Sequence, residues 1–153
     1  MKTLGNILWH VPFLGFVQAA LTWLIGLLLT ITIIASPIGR GLMEYGKFLF
    51  APFSRAMVSR SDLQEKQNDA WKAYSTVITV IYLPVGLILA IITIFQIAGL
   101  FVSLAGIPMA IVLAKSLGTF FNPVNKKCVP QAVADEVERR SARAEVDRQL
   151  GAE

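Results

Sequence analysis

The sequence predicts an all-α fold: a polytopic membrane protein built from two tandem repeats, each a broken or hairpin apolar helix followed by an amphipathic interfacial helix. Three observations carry this expectation. Of the 153 residues, 55% are hydrophobic and only 16% charged, and the mean hydropathy is +0.61, more apolar surface than a soluble core of this size can use. Residues 3–39 and 73–114 contain no Asp, Glu, Lys or Arg, whereas a helix crossing the hydrocarbon core needs roughly 20 residues. Each run therefore suffices for nearly two crossings. Finally, an offset of 71 residues lays Gly15 on Gly86, Thr22 on Thr93, Leu29 on Leu100, Pro37 on Pro108, Phe50 on Phe121, Pro52 on Pro123 and Arg55 on Lys126.

The boundaries that follow are a first membrane repeat at 1–55, a cytoplasmic connector at 56–72, a second membrane repeat at 73–127 and a cytoplasmic helical tail at 128–153. At the start of the first repeat, Trp9 and His10 are placed at interfacial depth, Trp9 in the aromatic belt. Pro12 and Gly15 then bend the backbone, because the proline removes a helical hydrogen bond. Residues 14–34 form the cleanest spanning helix, and Ser36-Pro37 stops it by restricting the residue before the proline. Lys2 before an apolar run has the look of a secretory signal, but the run at 4–34 is about twice the usual 7–15 residues, so it is read as a retained anchor.

From 38 to 50 the pattern turns amphipathic. Arg40, Glu44 and Lys47 fall at i, i+4 and i+7 on one face, with Leu42, Met43, Phe48, Leu49 and Phe50 supplying apolar surface until Pro52 ends the segment. In the connector, Ser61-Asp62-Leu63-Gln64 reads as a capping box that starts a short helix. Trp71, Tyr74 and Tyr82 are placed to anchor the next helix at the headgroups. The second repeat bends at Pro84 and Gly86, breaks at Pro108, carries Lys115 where the first has Glu44, and closes at Pro123. The tail is a solvated helix with Asp135/Arg139 and Glu136/Arg140 as i,i+4 pairs.

The net charge of +4 flanks apolar runs, which points to membrane lipid rather than nucleic acid as the partner. Six Lys or Arg lie between residues 40 and 72 and six more from 126 onward, so both regions belong in the cytoplasm under the positive-inside rule. An even number of crossings must separate them, turning near 84–86 or near 96–99. The rival is one span per repeat, which would invert the copies. Lone Cys128 fits a reducing cytoplasmic side as an inert thiol.

One His and one Cys provide no nucleophile and base pair, no metal cluster and no recognised local signature. Gly39, Gly41 and Gly46 lack the spacing and the following Lys of a phosphate loop. The expectation is a non-enzymatic protein with no catalytic residue, cofactor or metal. The Arg40, Glu44, Lys47 stack remains as a candidate pathway or vestibule, lining a route for ions if copies assemble around an axis. The bland alternative is the wet face of an interfacial helix.

Gly5-Asn6-Ile7-Leu8-Trp9, then Trp23, Thr32-Ile33-Ile34, Pro37-Ile38-Gly39-Arg40 and Ala51-Pro52-Phe53 together resemble the repeat of the bacterial YccF family of inner-membrane proteins. The two copies would cover about residues 5–127. The second departs from the pattern: its opening Asn and Trp are missing, and Asn122-Pro123-Val124-Asn125 stands where Pro-Phe-Gly is usual. The resemblance implies an inner-membrane component, but no settled activity to carry over to residues; the multi-pass topology with cytoplasmic termini is what the apolar runs and flanking charges predict. Two functions are therefore expected as rivals. One is a homo-oligomer forming a polar pathway for ions or small solutes; the other is a structural or accessory subunit binding other membrane proteins or anionic lipid.

Overall fold

The computed structural model describes residues 2–63 and 68–151. Among these, six α-helices and a two-stranded sheet follow one another: α1 (Lys2–Phe13), α2 (Gly15–Ile31), α3 (Ser36–Leu49), β1 (Arg55–Ser59), α4 (Asp69–Phe101), α5 (Ile107–Phe121), β2 (Lys126–Pro130) and α6 (Gln131–Leu150). Single 3-10 turns at Ile33–Ala35 and Leu104–Gly106 precede α3 and α5. Helix dominates, as the composition predicts.

Leu14, in the left-handed region with φ 49, separates α1 from α2, and the two helices meet at 80°. On α1 the side chains of Leu4, Ile7, Leu8 and Val11 are exposed while Trp9 is buried. That stripe at i, i+3, i+4 and i+7 is the outer face of an amphipathic helix. Helix α2 then pairs with α3, backbone against backbone. A Cβ on Gly26 would lie 2.7 Å from the Gly39 carbonyl oxygen, and one on Gly39 would lie 2.6 Å from that of Gly26. Only glycine at both positions permits this approach.

Helix α4 has 33 residues, about 50 Å at 1.5 Å per residue, and it is long and apolar enough to cross a membrane. Here the expected break is corrected. Pro84 lies inside α4, and the helix runs through both 84–86 and 96–99 before the chain reverses at 102–106 into α5. Apolar helices tolerate an internal proline where neighbouring groups or local adjustment re-satisfy the freed carbonyl. Gly86 serves packing instead, since a side chain there would strike the Phe121 carbonyl. Pro37 and Pro108 occupy the first turns of α3 and α5, where a missing N–H costs nothing. They begin helices; the preceding ones have already ended at Ile31 and Phe101.

The sheet was not foreseen. β1 and β2 pair antiparallel, with Arg55 opposite Pro130, Met57 opposite Cys128 and Ser59 opposite Lys126. It replaces the start of the expected connector, where residues 59–63 form turns with Asp62 and Leu63 N–H groups on the Ser59 carbonyl. Gln64, the far end of the expected capping box, lies outside the described residues. Exposed large apolar side chains are concentrated on α1, α2 and α4, from Leu4 and Phe16 to Ile94 and Phe95. α6 buries nothing.

Candidate functional site

The expected site residues lie on α3, and the helical period divides that helix into three faces. Gly39, Met43 and Gly46 face α2: Gly39 meets Thr30, the Thr30 hydroxyl lies 3.7 Å from the Met43 sulfur, and Gly46 abuts Ala19 and Trp23. Gly41, Tyr45 and Phe48 face α5 and the turn after it. Gly41 sits against the Pro123 carbonyl, Tyr45 stacks on Phe48 and meets Phe120 edge-on at 5.4 Å. Arg40, Glu44 and Lys47 form the third face.

That third face is tied down within the chain. The Arg40 guanidinium lies 4.3 Å from the Trp71 ring centroid, a cation–π contact. Glu44 accepts the Cys128 N–H at 2.9 Å with one oxygen and pairs with Lys47 through the other. Its side chain is 13% exposed. So the stack joins α3 to the start of α4 and to β2, and only Arg40 and Lys47 reach solvent. On α5, Lys115 makes the reverse connection, donating to the Pro52 carbonyl at 3.2 Å and to Gln131 Oε1 at 3.1 Å. Burial lowers its pKa, Asp135 works against that, and Lys2 adds to it. Cys128 has its thiol pKa raised, first by burial, despite the Arg55 guanidinium beside it, which suits an unreactive thiol.

The buried centre between α3 and α5 holds Tyr45, whose hydroxyl is pushed up to about 12 by burial, with a Ser116 hydrogen bond acting the other way. Because the folded state keeps the proton to higher pH than an unfolded tyrosine near 10, stability is intact below pH 10 and falls as pH rises through 10 to 12. Two pH units correspond to roughly 2–3 kcal/mol. We predict that Tyr45→Phe flattens this alkaline slope in unfolding curves recorded from pH 8 to 12; an unchanged slope rejects the assignment.

A second cluster was missed by sequence reasoning. Trp9 is 1% exposed and donates its Nε1–H to the Leu49 carbonyl at 2.9 Å, and His10 Nε2 lies 2.9 Å from the Phe50 carbonyl. Asn6 donates to Ser54 Oγ and accepts the Phe53 N–H. Trp9 is thus not a belt residue; together these side chains hold the turn that ends α3, whose last carbonyls lack helical partners. Tyr82 does the same for α5, donating to the Phe120 carbonyl at 3.2 Å, while Tyr74 holds the Ile33–Ile34 carbonyls. The signal was available as Gly5-Asn6 and Trp9 ahead of the Ala51-Pro52-Phe53 turn, but only contact in space gives it meaning.

Residues 4–55 match the model of the YccF family, described as an inner membrane component domain. The match begins two residues before Asn6 and ends one residue after Ser54, so it encloses both halves of this clamp. No curated protein and no solved structure matches the chain. The match to a family described as an inner membrane component domain and the exposed apolar faces of α1, α2 and α4 both point to a membrane protein.

Proposed function

We propose that the protein is a structural or accessory subunit of the bacterial inner membrane, presenting a cytoplasmic platform made of the β1–β2 sheet and α6. The observation that carries this reading is the use of the charged stack. Glu44 is occupied by the Cys128 N–H and Lys47, and Arg40 by Trp71, so these groups rigidify the polar layer. A route for ions needs such groups free along a lumen. In-membrane crosslinking tests it: stoichiometric foreign partners on α6 are expected, and crosslinks only between copies would reverse the choice.

The polar pathway through a homo-oligomer is kept as a second reading for one specific reason. Gln18 and Gln96 are exposed on the otherwise apolar walls of α2 and α4, and such amides find partners across helix interfaces in lipid. Conductance in planar bilayers, lost in Gln18→Leu and Gln96→Leu, would favour it.

The two-repeat architecture is part of the proposal. It is supported by the recurrence, at the 71-residue offset, of both 3-10 turns and both strands. It is supported also by two pairs of residues at that offset which meet one another, Met57 with Cys128 and Tyr45 with Ser116, as they must beside a two-fold axis. The sidedness we propose places the N-terminus, connector and tail in the cytoplasm. Hydrogen-bonded strands share one side of a bilayer, and Asn6 bonds the same layer at Ser54. With Cys128 replaced, cysteines at Ser61 and Ala144 are expected to resist an impermeant maleimide in intact cells and to react after permeabilisation. Labelling of one but not the other in intact cells would overturn the arrangement.

A further inference from the structure

A cavity of about 650 Å3 opens between the start of α4 and the end of α5, inside the ~300–1,000 Å3 range of small-ligand sites. Its lining includes Asp69, Lys72 and Thr76 on α4 and Asn122, Asn125 and Lys126 beyond α5. The two ammonium groups and the carboxylate make no ion pair among the described residues. The wall is fixed: Asn125 donates to the Ser75 hydroxyl at 3.1 Å, and Ser75, itself fully buried, donates to the Lys72 carbonyl. Beside these groups Phe121 lines the same cavity and is 42% exposed, and Val80, one turn beyond Thr76 on the same face of α4, is 65% exposed. Polar cavity and apolar wall therefore meet where the uncharged run begins at residue 73.

The inference drawn from this juxtaposition rests on the membrane reading proposed above.

We propose that this cavity binds the phosphodiester headgroup of a membrane phospholipid, with Lys72 and Lys126 holding the phosphate and the acyl chains lying along Val80 and Phe121. Two cations against one carboxylate leave a single positive charge, which matches the single negative charge of a phosphodiester. The ammonium groups supply charge-assisted donors and the side-chain amides neutral ones for its oxygens. A soluble phosphate would use the polar half only and would leave the apolar wall without purpose.

Two variants test the site by different physics. Lys72→Gln combined with Lys126→Gln removes the charge. Gly118→Met narrows the cavity from a position where a Cβ meets nothing within 4 Å. Phospholipid retained by the purified full chain is counted by native mass spectrometry, and the melting temperature in the same detergent reports folding. Both variants are expected to stay folded and to retain lipid at least about tenfold less, tenfold being the scale of a single charge-assisted contact, while Lys72→Arg retains it. Equal retention in the wild type and both variants would overturn the proposal. Displacement of the lipid by millimolar inorganic phosphate would assign the cavity to soluble phosphate and overturn it too. Fractionation separates this from the membrane reading. A chain that stays in the membrane pellet yet carries no lipid overturns only the site, and a chain recovered in the aqueous phase overturns both.

Discussion

Trp9→Ala is expected to lower the unfolding free energy by about 3–5 kcal/mol, the range for truncating a buried tryptophan. Its ring is 1% exposed and packs in a cluster with Ala19, Tyr45, Phe48, Leu49 and Val112. Gly15 makes the room for it, since a Cβ there would overlap the indole. Truncation also strands the Leu49 carbonyl, which takes the indole N–H in a buried position. Trp9→Phe separates the two effects by keeping most of the packing while losing the donor, and about 1–3 kcal/mol of loss is expected from it. Trp71→Ala is the contrast: that ring is partly exposed beneath Arg40, and about 1 kcal/mol covers a cation–π contact of this kind. The check is denaturant unfolding in detergent micelles. Trp9→Ala within 1 kcal/mol of the wild type would show that the clamp does not hold α3.

The contrast between these two tryptophans marks what the sequence could and could not reveal. Local signals were legible: the bend beside Pro12 and Gly15, the amphipathic period that places Arg40, Glu44 and Lys47 on one face, and the helical tail. Each depends on residues within a few turns of one another. Trp9 misled because an aromatic at the edge of an apolar run has the same local signature whether it faces headgroups or a buried carbonyl forty residues away. The strands were hidden for the same reason. Arg55–Ser59 and Lys126–Pro130 are short, carry no hairpin turn between them, and find their hydrogen-bond partners only when the two halves dock. Pro84 misled in the opposite way, since the break expected of an interior proline does not follow in a helix where neighbouring groups or local adjustment re-satisfy the freed carbonyl. The stack on α3 was placed on the right face, but what stands opposite it, Trp71 and β2, is a property of the docking.

That docking depends most sharply on Gly41. Its Cα lies against the Pro123 carbonyl so closely that any side chain would overlap backbone rather than a flexible group, and backbone cannot yield without moving β2. Gly41→Leu is therefore expected to separate the two halves while leaving the α2–α3 contact at Gly26 and Gly39 intact, because position 41 faces away from α2. A crosslink reads the separation directly. Met57 and Cys128 are paired across the sheet, where opposite Cα atoms of an antiparallel ladder lie about 4.5–5.5 Å apart, within the ~4.4–6.8 Å that a disulfide spans. Met57→Cys should then close an intramolecular bond to the native Cys128 on mild oxidation. The raised thiol pKa slows that reaction at neutral pH, and the rate climbs as pH rises, because the thiolate is the reacting form. Adding Gly41→Leu should reduce the yield about tenfold, while Glu44→Gln, which keeps a carbonyl acceptor near the Cys128 N–H, should lower it far less. If the disulfide forms equally well with and without Gly41→Leu, the halves do not depend on this contact, and the close approach at Pro123 is not what sets the register of β1 on β2.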